Sequence, residues 1–260
     1  MRRGRHEPGP LGFCGETTLG HKQMATIPGG NYGGVIFGTH GDDVINVPDG
    51  HYVVFGGGGN DQIFGGHGND VIFGGKGDDL LVAGDGHQEL FGGGGNDTLI
   101  GGNGPDLLEA GKGHSLLIGG NGSDTLIGGT GDSTLIGGVG HQYLQAGHGN
   151  DLMIAGEGDQ TLVAGHGNDT MVAGDGHDTF VFGSGGGRDV VMDFQDGDIL
   201  QIQRNINGLH IHSAADLVSR VHSDADGNAV INLGHGDSIT LVDVKAEDIQ
   251  NDPNGFIKVH

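Results

Sequence analysis

From Gly38 to Val181 an apolar residue returns at every ninth position: Ile45, Val54, Ile63, Ile72, Leu81 and onward to Met171 and Phe180. Four positions before each stands a glycine, from Gly41, Gly50 and Gly59 through to Gly176. The 144 residues divide into 16 nonamers without an insertion, typified by GGHGNDVIF (65–73), GGGGNDTLI (92–100) and AGHGNDTMV (164–172). A fixed period held this long marks a repeat architecture. The first six residues of each unit read as a tight turn, because glycine adopts conformations closed to residues with a Cβ. The last three read as a short strand that sends its middle side chain inward. Two units then make one coil, with successive turns on opposite edges. Eight coils at ~4.8 Å each give a slab roughly 40 Å long around a thin stack of eighth-position side chains. The predicted fold is all-β: a parallel β-roll, or β-solenoid, of about eight coils.

On either side the pattern changes. Residues 182–260 regain ordinary complexity and are expected to form a small, mostly-β cap. Strand-like runs cover Val190–Phe194, Ile199–Gln203, Ala229–Leu233 and Ile239–Val242, and Ser213 precedes a helical stretch, AADLVSRV. DADGN (224–228) reads as a hairpin turn. A solenoid needs its last coil covered, which gives this segment a purpose. Residues 1–37 are read as an N-terminal extension and lead-in, with Gly29–Phe37 covering the first coil. The first 23 residues are richer in charge, Cys and Pro, which points to Met24 as the native start.

Composition sharpens this picture. The chain has 60 glycines in 260 residues and no tryptophan, so little side-chain area is available for a core. Net charge is -23, and between Gln23 and Gly187 the only Lys or Arg residues are Lys76 and Lys112. Such a surface repels nucleic acid and anionic membranes. Uncompensated carboxylates also oppose compaction unless a cation neutralises them. Cys14 is alone, so no intrachain disulfide forms. No apolar run reaches the roughly 20 residues of a membrane span, and the N-terminus lacks the apolar stretch of a cleaved signal. Neither H-E-x-x-H nor G-x-S-x-G occurs, and about 35 residues before the roll leave no room for a catalytic domain. A non-catalytic protein is expected.

The units resemble the G-G-x-G-x-D-x-U-x repeats of RTX proteins, the hemolysin-type calcium-binding family, over 38–181. FGSGGGRDVVMDFQDGDILQI (182–202) and INLGHGDSITLVDV (231–244) resemble that family's C-terminal cap. The resemblance implies calcium held between neighbouring turns of a parallel roll. It also implies export by type I secretion, with an uncleaved signal in or after 182–260, and a secreted or cell-surface protein. The ending FIKVH departs from the pattern, since Lys258 and His260 stand where acidic and apolar residues are usual.

Calcium takes six to eight oxygen ligands, and the sixth-position Asp supplies carboxylate where stacked turns both carry it. One edge reads Asp43, Asp61, Asp79, Asp97, Ser115, Ser133, Asp151, Asp169; the other reads Tyr52, Asp70, Gln88, Asp106, Asp124, Gln142, Gln160, Asp178. The complete pairs are 43/61, 61/79, 79/97, 151/169 and 106/124, with Asp178 expected to meet Asp189 at the junction with the cap. Turn glycines such as Gly59, Gly77, Gly95, Gly122 and Gly167 would add carbonyls. Roughly four to seven calcium ions are expected. Ser and Gln can hydrogen-bond neighbouring turns without supplying charge.

Two further features stay open. Fifth-position histidines read as exposed turn residues, while His148 and His166, in adjacent coils, could instead form a two-His metal site. Outer positions carry Phe55, Phe64, Phe73, Phe91, Ile100, Ile118, Ile127 and Ile136, with Thr98, Thr125, Thr134, Thr161 and Thr170 beside them. These suit either plain β-propensity or a docking ladder for another roll, an extracellular polysaccharide or ice. The leading expectation is a secreted, non-catalytic calcium-binding protein, structural or matrix-associated, whose folding extracellular calcium triggers. The alternatives are a self-assembling filament or sheet and a carbohydrate-binding or targeting module.

Overall fold

Each residue of the roll lies beside the residue 18 positions further along. Ile45 pairs with Ile63, Ile63 with Leu81 and Leu81 with Leu99; on the other side Val54 pairs with Ile72 and Ile72 with Leu90. The computed structural model describes residues 23–25 and 33–260. Among these, alternate units feed two sheets. A 13-stranded sheet runs from Gln23–Ala25 and Asp43–Asn46, and an 11-stranded sheet from Gly34–Phe37 and Tyr52–Gly58. The turns therefore fall on two edges, a first bearing Asp43 and Asp61 and a second bearing Tyr52 and Asp70. The eighth-position residues from Ile45 to Phe180 are fully buried, and Ile36, Val191 and Leu200 prolong the same stack.

The strands are longer than the sequence suggested. Thr98–Asn103, Leu116–Asn121 and Thr134–Val139 each span six residues, running through the first three positions of the next unit. Each turn is correspondingly tight, and three side chains per unit face inward rather than one. They are the sixth-position Asp, Ser or Gln, the eighth-position apolar residue, and the following Gly or Ala, with Ala110 and Ala146 fully buried. Fourth-position glycines sit at φ 103 (Gly59) and 114 (Gly77), and a Cβ at Gly77 would strike the Gly59 carbonyl. Glycine is required there twice over.

The parallel register outlasts the nonamers. Thr170 pairs with Val190 and Phe180 with Leu200, an offset of 20 that absorbs two extra residues. The hairpin Ala229–Gly234 and Asp237–Leu241 then joins Arg188–Met192, and Ile257–Val259 finishes the other sheet beside Ile199–Ile202. The 224–228 segment is a hairpin turn, as expected, with the Asp226 and Asn228 N–H groups donating to Asp224 Oδ1. Ala214–Arg220 is a 3-10 helix, and the short helices Ala246–Asn251 and Pro253–Phe256 were not anticipated. At the opposite end Gly34–Phe37 is a strand of the roll itself, with Ile36 buried and Phe37 exposed. Residues 29–32, and nearly all of the segment assigned before Met24, lie outside the described residues.

Candidate calcium centres

Along both edges of the roll, except at Ser115, the sixth-position backbone N–H is accepted by a side chain of the next coil. The Asp43 N–H donates to Asp61 Oδ1 (2.8 Å), Asp61 to Asp79 (2.7 Å) and Asp79 to Asp97 (2.9 Å). Ser and Gln fill the same role where Asp is missing: Asp97 N–H donates to Ser115 Oγ (3.0 Å) and Asp124 N–H to Gln142 Oε1 (2.8 Å). These are the hydrogen bonds expected of the substituted units.

A carboxylate has a second oxygen, and here it is stranded. Oδ2 of Asp61, Asp70, Asp79, Asp97, Asp106, Asp124, Asp151 and Asp169 is buried without a hydrogen-bond partner. An unpaired buried polar atom costs free energy comparable to a lost hydrogen bond, more if charged. The surroundings add a second oxygen. A Cβ placed on Gly119 would lie 2.6 Å from both Asp124 Oδ2 and the Gly137 carbonyl oxygen, and Gly56, Gly74, Gly92 and Gly101 show the same convergence. Carboxylate and carbonyl oxygens thus converge beside a small residue, glycine at these steps and Ala146 and Ala164 at Asp151 and Asp169, and they form the donor set that a hard cation prefers. Among the described residues no three His, Cys, Asp or Glu side chains gather around a point. A cation here would draw on carbonyls as well as carboxylates.

Electrostatics agree. Burial pushes Asp79 up to about 7 against the pull of the Asp61 N–H, with the Asp97 and Asp61 charges adding to the rise. Asp106, Asp169 and Asp189 reach about 7 and Asp61 and Asp70 about 6, burial being the main cause in each. Asp97, Asp124, Asp151 and Asp178 are raised for the same reason. A nearby cation reverses such shifts by compensating the charge.

The pairs 43/61, 61/79, 79/97, 106/124 and 151/169 stack as the frame requires. Asp43 differs in one respect, because its Oδ2 already accepts from the Thr39 hydroxyl (2.9 Å). Gly59, Gly77, Gly95, Gly122 and Gly167 lie in these turns, at φ between 103 and 149. The expected pairing of Asp178 with Asp189 is wrong. They belong to successive units and so lie on opposite edges, where Asp169 N–H donates to Asp189 Oδ1 (3.0 Å) and Asp178 N–H to Asp198 Oδ1 (2.8 Å). Asp198 and Asp70 had not been assigned. Both were legible as an Asp two residues before a core residue, Leu200 and Ile72.

A second ladder was missed. At the fifth position the bond runs the other way along the solenoid: Asp78 N–H donates to Asn60 Oδ1 (2.9 Å), and Asn96 N–H to Asp78 Oδ1 (2.7 Å). His51 and His114 serve in it, accepting at Nδ1 from the N–H groups of Asn69 (3.0 Å) and Asp132 (3.1 Å). The His148 and His166 rings are stacked, 4.7 Å apart and 12° from parallel. His166 Nδ1 also lies 2.9 Å from the Gly185 carbonyl oxygen.

The RTX calcium-binding nonapeptide repeat matches in four copies, over residues 53–81, 82–117, 118–153 and 154–191. No curated protein matches the chain. Among solved structures, the extracellular lipase LipA from Serratia marcescens is similar at 19% identity and a TM-score of 0.42, over 90% of this chain. The chain corresponds to only 41% of that lipase's length. With the repeat covering more than half the sequence and the carboxylate ladders in its register, the chain belongs to the RTX family of calcium-binding nonapeptide-repeat proteins.

Proposed function

We propose that this chain is a secreted, non-catalytic RTX protein whose roll folds when extracellular calcium reaches its Asp ladders. The stranded Oδ2 atoms carry this reading: without a cation the roll buries a row of uncompensated oxygens. Seven stacked Asp pairs, five on the first edge and two on the second, put the expected stoichiometry at up to seven ions. In calcium-poor cytosol the same charges would hold the chain open for export, and millimolar calcium outside would close it. Circular dichroism of metal-stripped protein during a calcium titration tests this at neutral pH. A β signal that grows with calcium and vanishes with chelator is expected; an unchanged signal in chelator overturns the reading.

Self-association is a second reading, favoured by the outer face of the 13-stranded sheet. Leu80, Thr98, Leu116, Thr134, Leu152 and Thr170 stand in register beside Val82, Ile100, Ile118, Ile136, Ile154 and Val172, with no charge among them. Six coils make this strip ~25 Å long on a chain of net charge -23. A second copy of the roll fits it by flatness and repeat spacing. Light scattering before and after calcium addition decides: a monomer at high concentration in calcium removes this reading. The Phe37, Phe55, Phe73 and Phe91 rings favour a polysaccharide less. They stack on each other at 4.9–5.3 Å, so their faces are not free for sugar rings.

A further inference from the structure

The three glutamines of the second edge do more than complete the ladder. Each turns its amide nitrogen back onto the preceding coil: Gln88 Nε2 donates to the Gly68 carbonyl (2.7 Å), Gln142 to Gly122 (3.0 Å) and Gln160 to Gly140 (2.8 Å). Gln160 Nε2 also reaches the Glu157 carbonyl of its own turn (3.1 Å), so one nitrogen ties two coils together. The side chains are buried. Where Asp holds the sixth position, the carbonyls of Gly59, Gly77 and Gly104 receive no such side-chain bond, and the carboxylate's second oxygen is left over. Oε1 does the work of Oδ1, while Nε2 contributes positive hydrogens to carbonyls in place of a bound charge.

We propose that Gln88, Gln142 and Gln160 are resident substitutes for calcium, stapling their steps without metal and fixing which steps of the roll bind an ion. This rests on the calcium reading above. It divides the molecule by edge. The first edge, with its five Asp pairs, depends on the ion on both sides of the Ser115 and Ser133 turns and has no amide staple. The second is held at three steps by amides and needs the ion at Asp106/Asp124, while at Asp178/Asp198 both Oδ2 atoms already accept backbone N–H groups, from Gly174 and Gln195. Calcium withdrawal therefore opens the first edge before the second.

Exchanging the two chemistries in the full-length chain tests this. Gln142→Asp places a carboxylate against Asp124, creating a new Asp pair; Asp124→Gln turns a calcium step into a staple. Equilibrium dialysis against calcium should count one ion more for the first variant and one fewer for the second. Amide hydrogen exchange at half-saturating calcium should show the Asp124 N–H exchanging at least tenfold faster in Gln142→Asp than in wild type. Unchanged stoichiometry in both variants, with wild-type exchange rates, overturns the proposal. Should wild type bind no calcium at all, the functional reading fails instead. If Gln142→Asp does not fold, Asp124→Gln still decides, since retention of its full calcium complement refutes the staple.

Discussion

Protons should stand in for calcium. Asp106 is buried, and its carboxyl rises from 3.8 to about 7, chiefly through burial and with the Asp124 charge assisting. One pKa unit corresponds to ~1.36 kcal/mol, so that shift amounts to roughly 4 kcal/mol for a single isolated site. The folded carboxyl holds its proton more tightly than the unfolded one, and folding of the cation-free chain therefore takes up protons. Its contribution is fully present below pH ~4 and is lost as pH rises toward and through about 7. Within that window each such Asp contributes a slope of ~1.4 kcal/mol per pH unit, or ~3–6 °C in Tm for a domain of this size. Thermal melts of metal-stripped protein between pH 5 and 8 should show Tm rising as pH falls. The stabilisation by added calcium should be largest above pH 7. Relief of the general negative charge would act in the same direction, so Asp106→Asn separates the two. It keeps the acceptor for the Gln88 N–H and removes one titration, so the slope should drop by ~1.4 kcal/mol per pH unit. A flat or inverted Tm profile in the stripped protein, or an Asp106→Asn slope equal to wild type, refutes the reasoning.

Three substitutions separate the remaining contributions. Gly119→Val exceeds the Ala that Ala146 and Ala164 show to be accommodated beside Asp151 and Asp169, and isothermal calorimetry should show calcium affinity at Asp124 reduced at least tenfold. Leu117→Ala removes a fully buried link of the core and should cost about 2–5 kcal/mol in denaturant unfolding of the calcium-saturated protein. Asn60→Ala takes away the acceptor of the Asp78 N–H on an exposed row. It should cost only about 0.5–1.5 kcal/mol and leave calcium stoichiometry unchanged.

The coil, its register and the stacked Asp pairs were legible because Ile45, Ile63 and Leu81 recur in step with Asp43, Asp61 and Asp79. Strand length was not. Glycine at the first three positions reads as turn, yet Gly101 and Gly102 continue the strand begun at Thr98, since the sheets pack too closely there for larger side chains. Ala110 and Ala146, at the first of those positions, were the available sign that it faces inward. The mispaired Asp178 and Asp189 stand in successive units, which alternate edges; the two residues inserted after the last nonamer lengthen the offset to 20 and hid Asp189 and Asp198 as the partners of Asp169 and Asp178. The fifth-position ladder escaped notice because Asn, Asp and His look unrelated by type. They share an acceptor of similar reach, and only the stacked backbone shows what it accepts. The short cap helices hold too few residues for a period of 3.6 to register.

The offset of 18 between neighbours has a bearing on how such a chain can change its length. Duplicating or deleting 18 residues adds or removes a whole storey: inward side chains still stack on inward side chains, and each edge keeps its own complement of acids and amides. Half that number would transfer every residue beyond the break to the opposite edge, setting Gln142 above Ser115 where Asp124 had been its neighbour. Growth by whole storeys leaves each interface intact, so the length of the roll can be altered while the chemistry of every step is conserved.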